Sequence, residues 1–154
     1  MKLASVLTAL PPPVLRYTPY WLQGPNSPGM AGLTRRFLKQ LLVAEGAHET
    51  AVEAAQLCAT ELVANVHRHT TSPTVAVEIL LTPERLVVHV HDDAPSTTLA
   101  AAARQGDEAE HGRGLGLVDT YATRWGTTVY AGRPPRRKSV WFRLDAITGA
   151  KSPL

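Results

Sequence analysis

Three short segments of the 154-residue chain carry residue types that would act together if the fold brings them to one place. The segment Glu61 to Asn65 has a carboxylate and an amide one helical turn apart, which suits a proton acceptor and a ligand for a hard cation. Asp92 follows an alternating apolar run, and residues 112–116 form a glycine-rich stretch that leads into a helical pattern. A base, a metal ligand, an adenine-binding carboxylate and backbone amides for phosphates are the parts of an ATP site. The order and spacing of the segments favour that interpretation.

The first segment lies on an amphipathic helical pattern. Glu61, Asn65 and His69 follow one another at four-residue steps, so they line one side of a helix beside the apolar stripe of Leu62 and Val66. A carboxylate next to a buried face is partly desolvated, which favours its neutral form and makes it a better proton acceptor near neutral pH. Asn65 has a neutral oxygen that Mg2+ accepts beside water and nucleotide phosphates. The alternative is an ordinary solvated helix face.

Asp92 stands at the end of a predicted strand, residues 86–91. A carboxylate fixed at a strand end can accept a hydrogen bond from the adenine amino group, a contact that distinguishes ATP from GTP. The alternative is that Asp92 and Asp93 begin a turn, a common position for aspartate.

The third segment alternates Gly112, Gly114 and Gly116 with Arg113 and Leu115. Glycines let backbone amides approach phosphate oxygens closely, and a following helix contributes its positive end. The segment lacks the Gly-Lys-Ser/Thr of a Walker A sequence, and no predicted strand precedes it as a dinucleotide fingerprint requires. A flexible turn without a ligand remains the alternative.

The elements that must position these residues follow from the apolar periodicity. The pattern predicts a two-layer α/β sandwich, with helices on one face of a mixed, mostly antiparallel sheet. The first helix should end at Glu45-Gly46, and the third should follow Gly112 and end at Trp125-Gly126. The predicted helices are 28–44, 49–69 and the segment after 112, and the predicted strands are 14–22, 74–81, 86–91, 127–131 and 139–144.

Composition is that of one globular domain, with 44% hydrophobic and 19% charged residues. We expect a disordered tail over 1–13, a single domain over 14–146 and a C-terminal tail over 147–154. The single cysteine, Cys58, fits a reducing compartment, and the apolar stretch at residues 3–10 is too short for a membrane span. The net charge of +3 is spread along the sequence, so nucleic-acid binding is not expected. We expect a cytoplasmic location.

Taken together, these motifs resemble those of the GHKL ATPase superfamily, and within it the anti-sigma-factor serine/threonine kinases. The resemblance rests on Glu61-Leu62-Val63-x-Asn65 with His69, on Asp92, and on Gly-x-Gly-Leu-Gly at 112–116. It extends over residues 24–144, and Trp125-Gly126 and the run from Lys138 to Phe142 are similar to the actinobacterial branch.

The resemblance implies a Bergerat fold that binds ATP and Mg2+. Asn65 would ligate Mg2+, Asp92 would bind adenine, and Glu61 would be the general base toward a substrate hydroxyl. The phosphates would lie against residues of the third segment and of the last strand, namely Gly112, Gly114, Leu115, Gly116 and Ser139. One departure stands out, since Ala94 and Ser96 occupy positions that are glycines in many superfamily members.

The function implied is that of an anti-sigma factor that sequesters a sigma factor and phosphorylates a STAS-type antagonist; a homodimer is also suggested. The alternative is a non-catalytic module of the same fold that binds partners with or without nucleotide. Glu61 favours the kinase, because a nucleotide sensor needs no base, whereas Ala94 and Ser96 favour the module. The catalytic domain of a sensor histidine kinase is a third class, which the short chain makes less suitable.

Overall fold

A computed structural model describes residues 16–93, 108–130 and 137–149, with the backbone alone described for 108–114. The described elements are β1 (Thr18–Pro25), α1 (Gly29–Ala44), α2 (Glu49–His69), β2 (Thr74–Leu81), β3 (Arg85–Asp92), α3 (Glu108–Tyr121), β4 (Arg124–Val129) and β5 (Lys138–Asp145).

The five described strands form one sheet in the order β1-β2-β3-β5-β4. Each neighbouring pair is antiparallel. The predicted two-layer α/β sandwich is therefore confirmed, and within the described strands the sheet contains antiparallel pairs alone. Strands β2 and β3 are joined by a short turn at Thr82 to Arg85, where the Thr82 hydroxyl accepts hydrogen bonds from backbone amides.

The core lies between the three helices and one face of the sheet. Alternate residues of each central strand point to this face, because side chains of a strand alternate between its two sides. Phe142 of β5 and Leu62 of α2 are fully buried in it. Further apolar residues of α2, β2 and β3 are buried in the same core, namely Val52, Ala55, Ala59, Val63, Val66, Val75, Val77, Ile79, Leu86, Val88 and Val90.

Two helix boundaries follow local chemistry that the sequence predicts. Gly46 follows α1 with a φ of +83°, a left-handed conformation that glycine adopts without strain, so the predicted C-terminal glycine is confirmed. The bounds of α2 match the prediction, and its His48 N-cap accepts a hydrogen bond from the Ala51 amide at 3.1 Å. None of the helices in the described part of the chain is both long and apolar enough to cross a bilayer.

The third helix differs from its prediction at both ends. It begins at Glu108, four residues before Gly112, and it ends at Tyr121, so the predicted end at Trp125-Gly126 is wrong. Val118 is fully buried and packs this helix against the core. After the helix, Thr123 donates its amide to Arg143 of β5, which starts the pairing of β4.

The edge strand β1 and the residues after β5 both contact the rest of the fold. The edge strand β1 runs over Thr18–Pro25 rather than 14–22, because its residues pair with β2 from Leu81 back to Thr74. Residues 1–13 lie outside the described residues. Ile147 is buried, and its carbonyl accepts a hydrogen bond from the His48 amide at 2.9 Å.

Gly126 of β4 lies directly opposite Trp141 of β5. A Cβ at this position would lie 2.9 Å from Trp141 Cζ2. The indole ring would have to shift, so we expect Gly126→Ala to lower the free energy of unfolding by about 1–3 kcal/mol, measured by urea denaturation. Gly29→Ala is the control, because no atom lies within 4 Å of its added Cβ. Equal stability of the two variants would contradict the assigned packing.

Candidate functional site

Helix α2 presents Glu61, Asn65 and Arg68 to one place. Their spacing of four and three residues puts them on one side of the helix. Arg68 Nη2 donates to Asn65 Oδ1 at 2.7 Å and lies 3.9 Å from Glu61 Oε1. The positively charged guanidinium of Arg68 therefore lies between the Glu61 carboxylate and the Asn65 amide. These two residues are the base and the metal ligand that the sequence predicts.

Asn65 is the most deeply buried member of this group, with 1% of its surface exposed. Its Oδ1 is bonded to Arg68, but its Nδ2 has no hydrogen-bond partner among the described residues. A buried donor without a partner costs about 1–3 kcal/mol, so such groups often serve a ligand. Asn65 thus carries both an oxygen that suits a hard cation and a donor that suits a phosphate oxygen.

Glu61 borders the same buried face, as the helical pattern predicts. Its side chain is 25% exposed, compared with 44% for Arg68. The carboxylate is therefore within reach of solvent or of a substrate, while its helix is held by the core. Its neighbour Cys58 is fully buried, and burial, together with the charge of Glu61, raises the pKa of the thiol to about 12. Such a thiol remains protonated and is not a nucleophile.

Asp92 forms a buried ion pair with Lys138, which sequence reasoning missed. The two residues face each other across β3 and β5, and Lys138 Nζ lies 3.3 Å from Asp92 Oδ1. Both side chains lie on the sheet face that carries the core, with 2% of Asp92 and 4% of Lys138 exposed. The alternation Lys138, Val140, Phe142 was the available signal, because the two apolar members point inward and the lysine shares their side.

Ser139 is not brought to this group. It follows Lys138 by one residue, so its side chain points to the opposite face of the sheet. There its Oγ lies 3.0 Å from His89 Nδ1 and 3.4 Å from the Tyr130 hydroxyl. His89 stacks on His91, and burial, followed by the charge of His91, lowers the pKa of His89. The structure therefore gives Ser139 a place in an aromatic and imidazole cluster on the outer face.

The glycine-rich segment is helical in this structure. Gly112, Gly114 and Gly116 lie within α3, where backbone amides donate to carbonyls of the preceding turn. The expectation of a loop at 112–116 is wrong for this conformation, because the helix propagates from its buried half back to Glu108. Leu115 packs against the core, and Gly116 is exposed. Helix α3 packs on α2, so the segment lies against the helix that carries Glu61.

The remaining candidate residues from the sequence lie outside the described residues, and the described residues form no metal-binding cluster. Ala94 and Ser96 fall outside the described residues, and of Arg113 the backbone alone is described. Within 16–93, 108–130 and 137–149, no three His, Cys, Asp or Glu side chains stand close enough to hold a metal ion. A cation at Asn65 would therefore need water or phosphate oxygens as further ligands, which is the coordination that Mg2+ usually has.

The comparisons with known proteins agree with this architecture. A family model described as a histidine kinase-like ATPase domain matches residues 25–143. Among solved structures, the fold is similar to the crystal structure of the SiaB-SiaC complex from Pseudomonas aeruginosa, with a TM-score of 0.59 and 16% sequence identity over 93% of this chain and 95% of that chain. At this identity the likeness shows the fold alone. The comparison with curated proteins gave no match.

Proposed function

The chain belongs to the histidine kinase-like ATPase family, and we propose that it transfers the γ-phosphoryl group of ATP to a serine or threonine of a regulatory partner protein. The observation that carries the proposal is the arrangement of Glu61, Asn65 and Arg68 on one side of α2, with the buried Asn65 amide lacking a partner for Nδ2 among the described residues.

The residues present fit a nucleotide with its divalent ion. Asn65 Oδ1 would ligate Mg2+, which requires Arg68 to leave that oxygen, and Asp92 would accept a hydrogen bond from the adenine amino group. Bound Mg2+ would neutralise phosphate charge as the γ-phosphoryl group departs. Arg68 is a long, partly exposed side chain, so its guanidinium can move from Asn65 to a phosphate oxygen without disturbing the core.

Glu61 would act as the general base. A substrate hydroxyl attacks the γ-phosphorus, the bond from the β,γ-bridging oxygen to phosphorus breaks, and Glu61 takes the hydroxyl proton. Its position next to Arg68 and beside a buried helix face would hold the carboxylate toward the reacting group. Phosphoryl transfer depends mainly on positioning and charge neutralisation, so these few side chains suffice chemically.

The glycines of α3 would contact the phosphates only after part of the helix opens. Their amides are engaged within the helix in the described conformation. Glycine in a helix interior is less favourable than alanine by roughly 0.5–1 kcal/mol, so Gly112, Gly114 and Gly116 together lower the free energy needed to unwind this turn. We therefore keep these three residues as phosphate-binding candidates and Leu115 as their anchor to the core.

The partners proposed are a sigma factor and a STAS-type antagonist, the second being the phosphoryl acceptor. The SiaB-SiaC complex gives an example of a similar fold in an assembly of two proteins. Phosphorylation adds about two negative charges and three acceptor oxygens to the antagonist, enough to change which partner it binds. Such partners regulate transcription, so the proposal includes a cytoplasmic location. It also includes assembly of the chain as a homodimer.

A non-catalytic partner-binding module of the same fold is the second candidate. The contact of Arg68 with Asn65 Oδ1 favours it, because the guanidinium occupies the oxygen that a metal ion would need. In such a module, nucleotide binding would change partner affinity without phosphoryl transfer.

Addition of Mg2+ and ATP should raise the melting temperature of the full chain, because a ligand that binds the native state alone stabilises it. At about one hundred times the Kd the stabilisation is about 2.7 kcal/mol, or roughly 5–10 °C. Asp92→Asn should lose this increment, and Asp93→Asn should keep it. The rise in melting temperature on adding ATP is measured relative to the same variant without nucleotide, since Asp92→Asn also removes the carboxylate that pairs with Lys138. An equal increment in both variants would remove Asp92 from the nucleotide site.

Glu61→Gln should keep the ATP-induced stabilisation and lower phosphoryl transfer by about 10²- to 10⁴-fold, because the amide cannot take the hydroxyl proton. Transfer is measured with radiolabelled ATP on partner proteins captured from the native host. Glu53→Gln is the matched control, since Glu53 lies exposed on the same helix. Unchanged transfer in Glu61→Gln would exclude Glu61 as the base, and absence of transfer by the unaltered chain would favour the module.

Gly116→Ala should stabilise the protein without nucleotide by roughly 0.5–1 kcal/mol, because no atom lies within 4 Å of the added Cβ and alanine favours the helix. The same substitution should weaken ATP binding, since opening the helix becomes less favourable. Urea denaturation and titration calorimetry measure the two effects. Stabilisation with unchanged ATP affinity would show that this turn stays helical when ATP binds.

A further inference from the structure

Asp92 and Lys138 form an ion pair that is expensive to bury. Their side chains are 2% and 4% exposed, and the charged atoms lie 3.3 Å apart at facing positions of β3 and β5. Replacement of such a pair by apolar residues of similar size is often neutral or stabilising, so stability alone explains it poorly. A role in binding a ligand explains it better, because both members lie on the sheet face toward α2 that carries the proposed nucleotide site.

We propose that Lys138 is a second base-binding residue of this site, donating a hydrogen bond to N1 of adenine while Asp92 accepts one from the N6 amino group. This inference rests on the proposed function, since it needs a purine nucleotide in the site. The two groups are complementary to the base, because adenine presents an acceptor, N1, next to a donor, N6. An ammonium has three donors and a carboxylate about four acceptor positions, so each can serve the other and the base together.

The pairing predicts how the site treats 6-oxopurines. Hypoxanthine has an acceptor, O6, where adenine has a donor, and a donor, N1–H, where adenine has an acceptor. With Asp92 at the 6-position, O6 would face a negative charge, and with Lys138 at N1, the N1–H donor would face an ammonium that only donates. Both hydrogen bonds to the base are lost, so the site should discriminate strongly between ATP and inosine triphosphate.

The first experiment compares three nucleotides on the unaltered full chain with Mg2+, by titration calorimetry. The analogue 1-deaza-ATP has a C–H in place of N1 and should bind about tenfold or more weakly than ATP, the usual effect of losing a hydrogen bond to a charged group. Inosine triphosphate, which loses both base contacts, should bind about a hundredfold or more weakly than ATP. Equal affinity for ATP and 1-deaza-ATP, or inosine triphosphate binding within about tenfold of ATP, would overturn the inference.

The second experiment asks whether the preference for N1 depends on Lys138. Lys138→Met keeps the length and apolar stem of the side chain and removes the donor. ATP and 1-deaza-ATP should then bind equally. The control Arg137→Met removes the neighbouring exposed cation and should keep the preference. A preference that persists in Lys138→Met would overturn the inference.

The two proposals fail in different ways. If Lys138→Met does not fold, because Asp92 loses the Lys138 ammonium, the nucleotide series on the unaltered chain decides alone. If ATP binds and the analogues contradict the expected order, Lys138 is a structural partner of Asp92 and the proposed function stands. If ATP does not bind at all, the proposed function is overturned, and this inference with it.

Discussion

The packing of α2 across β3 and β5 is the constraint on which the rest of the structure depends. One side of α2 is fixed by fully buried residues such as Leu62 and Ala59. Because the helix cannot rotate without exposing them, Glu61, Asn65 and Arg68 have one possible orientation relative to the sheet. The apolar stripe of α2 therefore sets the orientation of the polar groups beside it.

The same packing explains why polar groups are buried at this boundary. A sheet buried on one face becomes apolar along alternate positions, and Asp92 and Lys138 continue those positions at the end of β3 and the start of β5. They are buried because the register demands it, and they pair because an isolated buried charge would be far less stable. Asn65, on the facing helix, keeps a buried donor without a partner among the described residues. Replacement of a buried ion pair by apolar residues is often neutral or stabilising, so the polarity of these positions is consistent with the proposed nucleotide site.

Much of this arrangement could be predicted from the sequence, and the failures have definite causes. The periodicity of α2 and the alternation of β2 and β3 are strong signals because each element buries one complete face. Trp125-Gly126 was taken for a helix end because glycine often follows one, whereas cross-strand pairing with Trp141 gives it a strand role. Ser139 was chosen by motif position alone. The alternation with the buried residues Val140 and Phe142 points Lys138 inward and Ser139 outward, and the pairing with β3 then places Lys138 opposite Asp92.

The helical state of residues 112–116 bears most directly on how such a site could be regulated. Three glycines in two turns cost the helix roughly 1.5–3 kcal/mol relative to alanine, and its buried anchor, Val118, lies beyond them. A ligand with a Kd between about 1 mM and 1 μM gains about 4–8 kcal/mol on binding, so a destabilisation of this size is large enough to affect whether the turn opens. A more stable helix would not open to bind the phosphates. A segment that is always an open loop would bind them without any change in α3. Under the proposed function, a marginal helix next to α2 would couple nucleotide binding to the shape of the surface that a partner would meet.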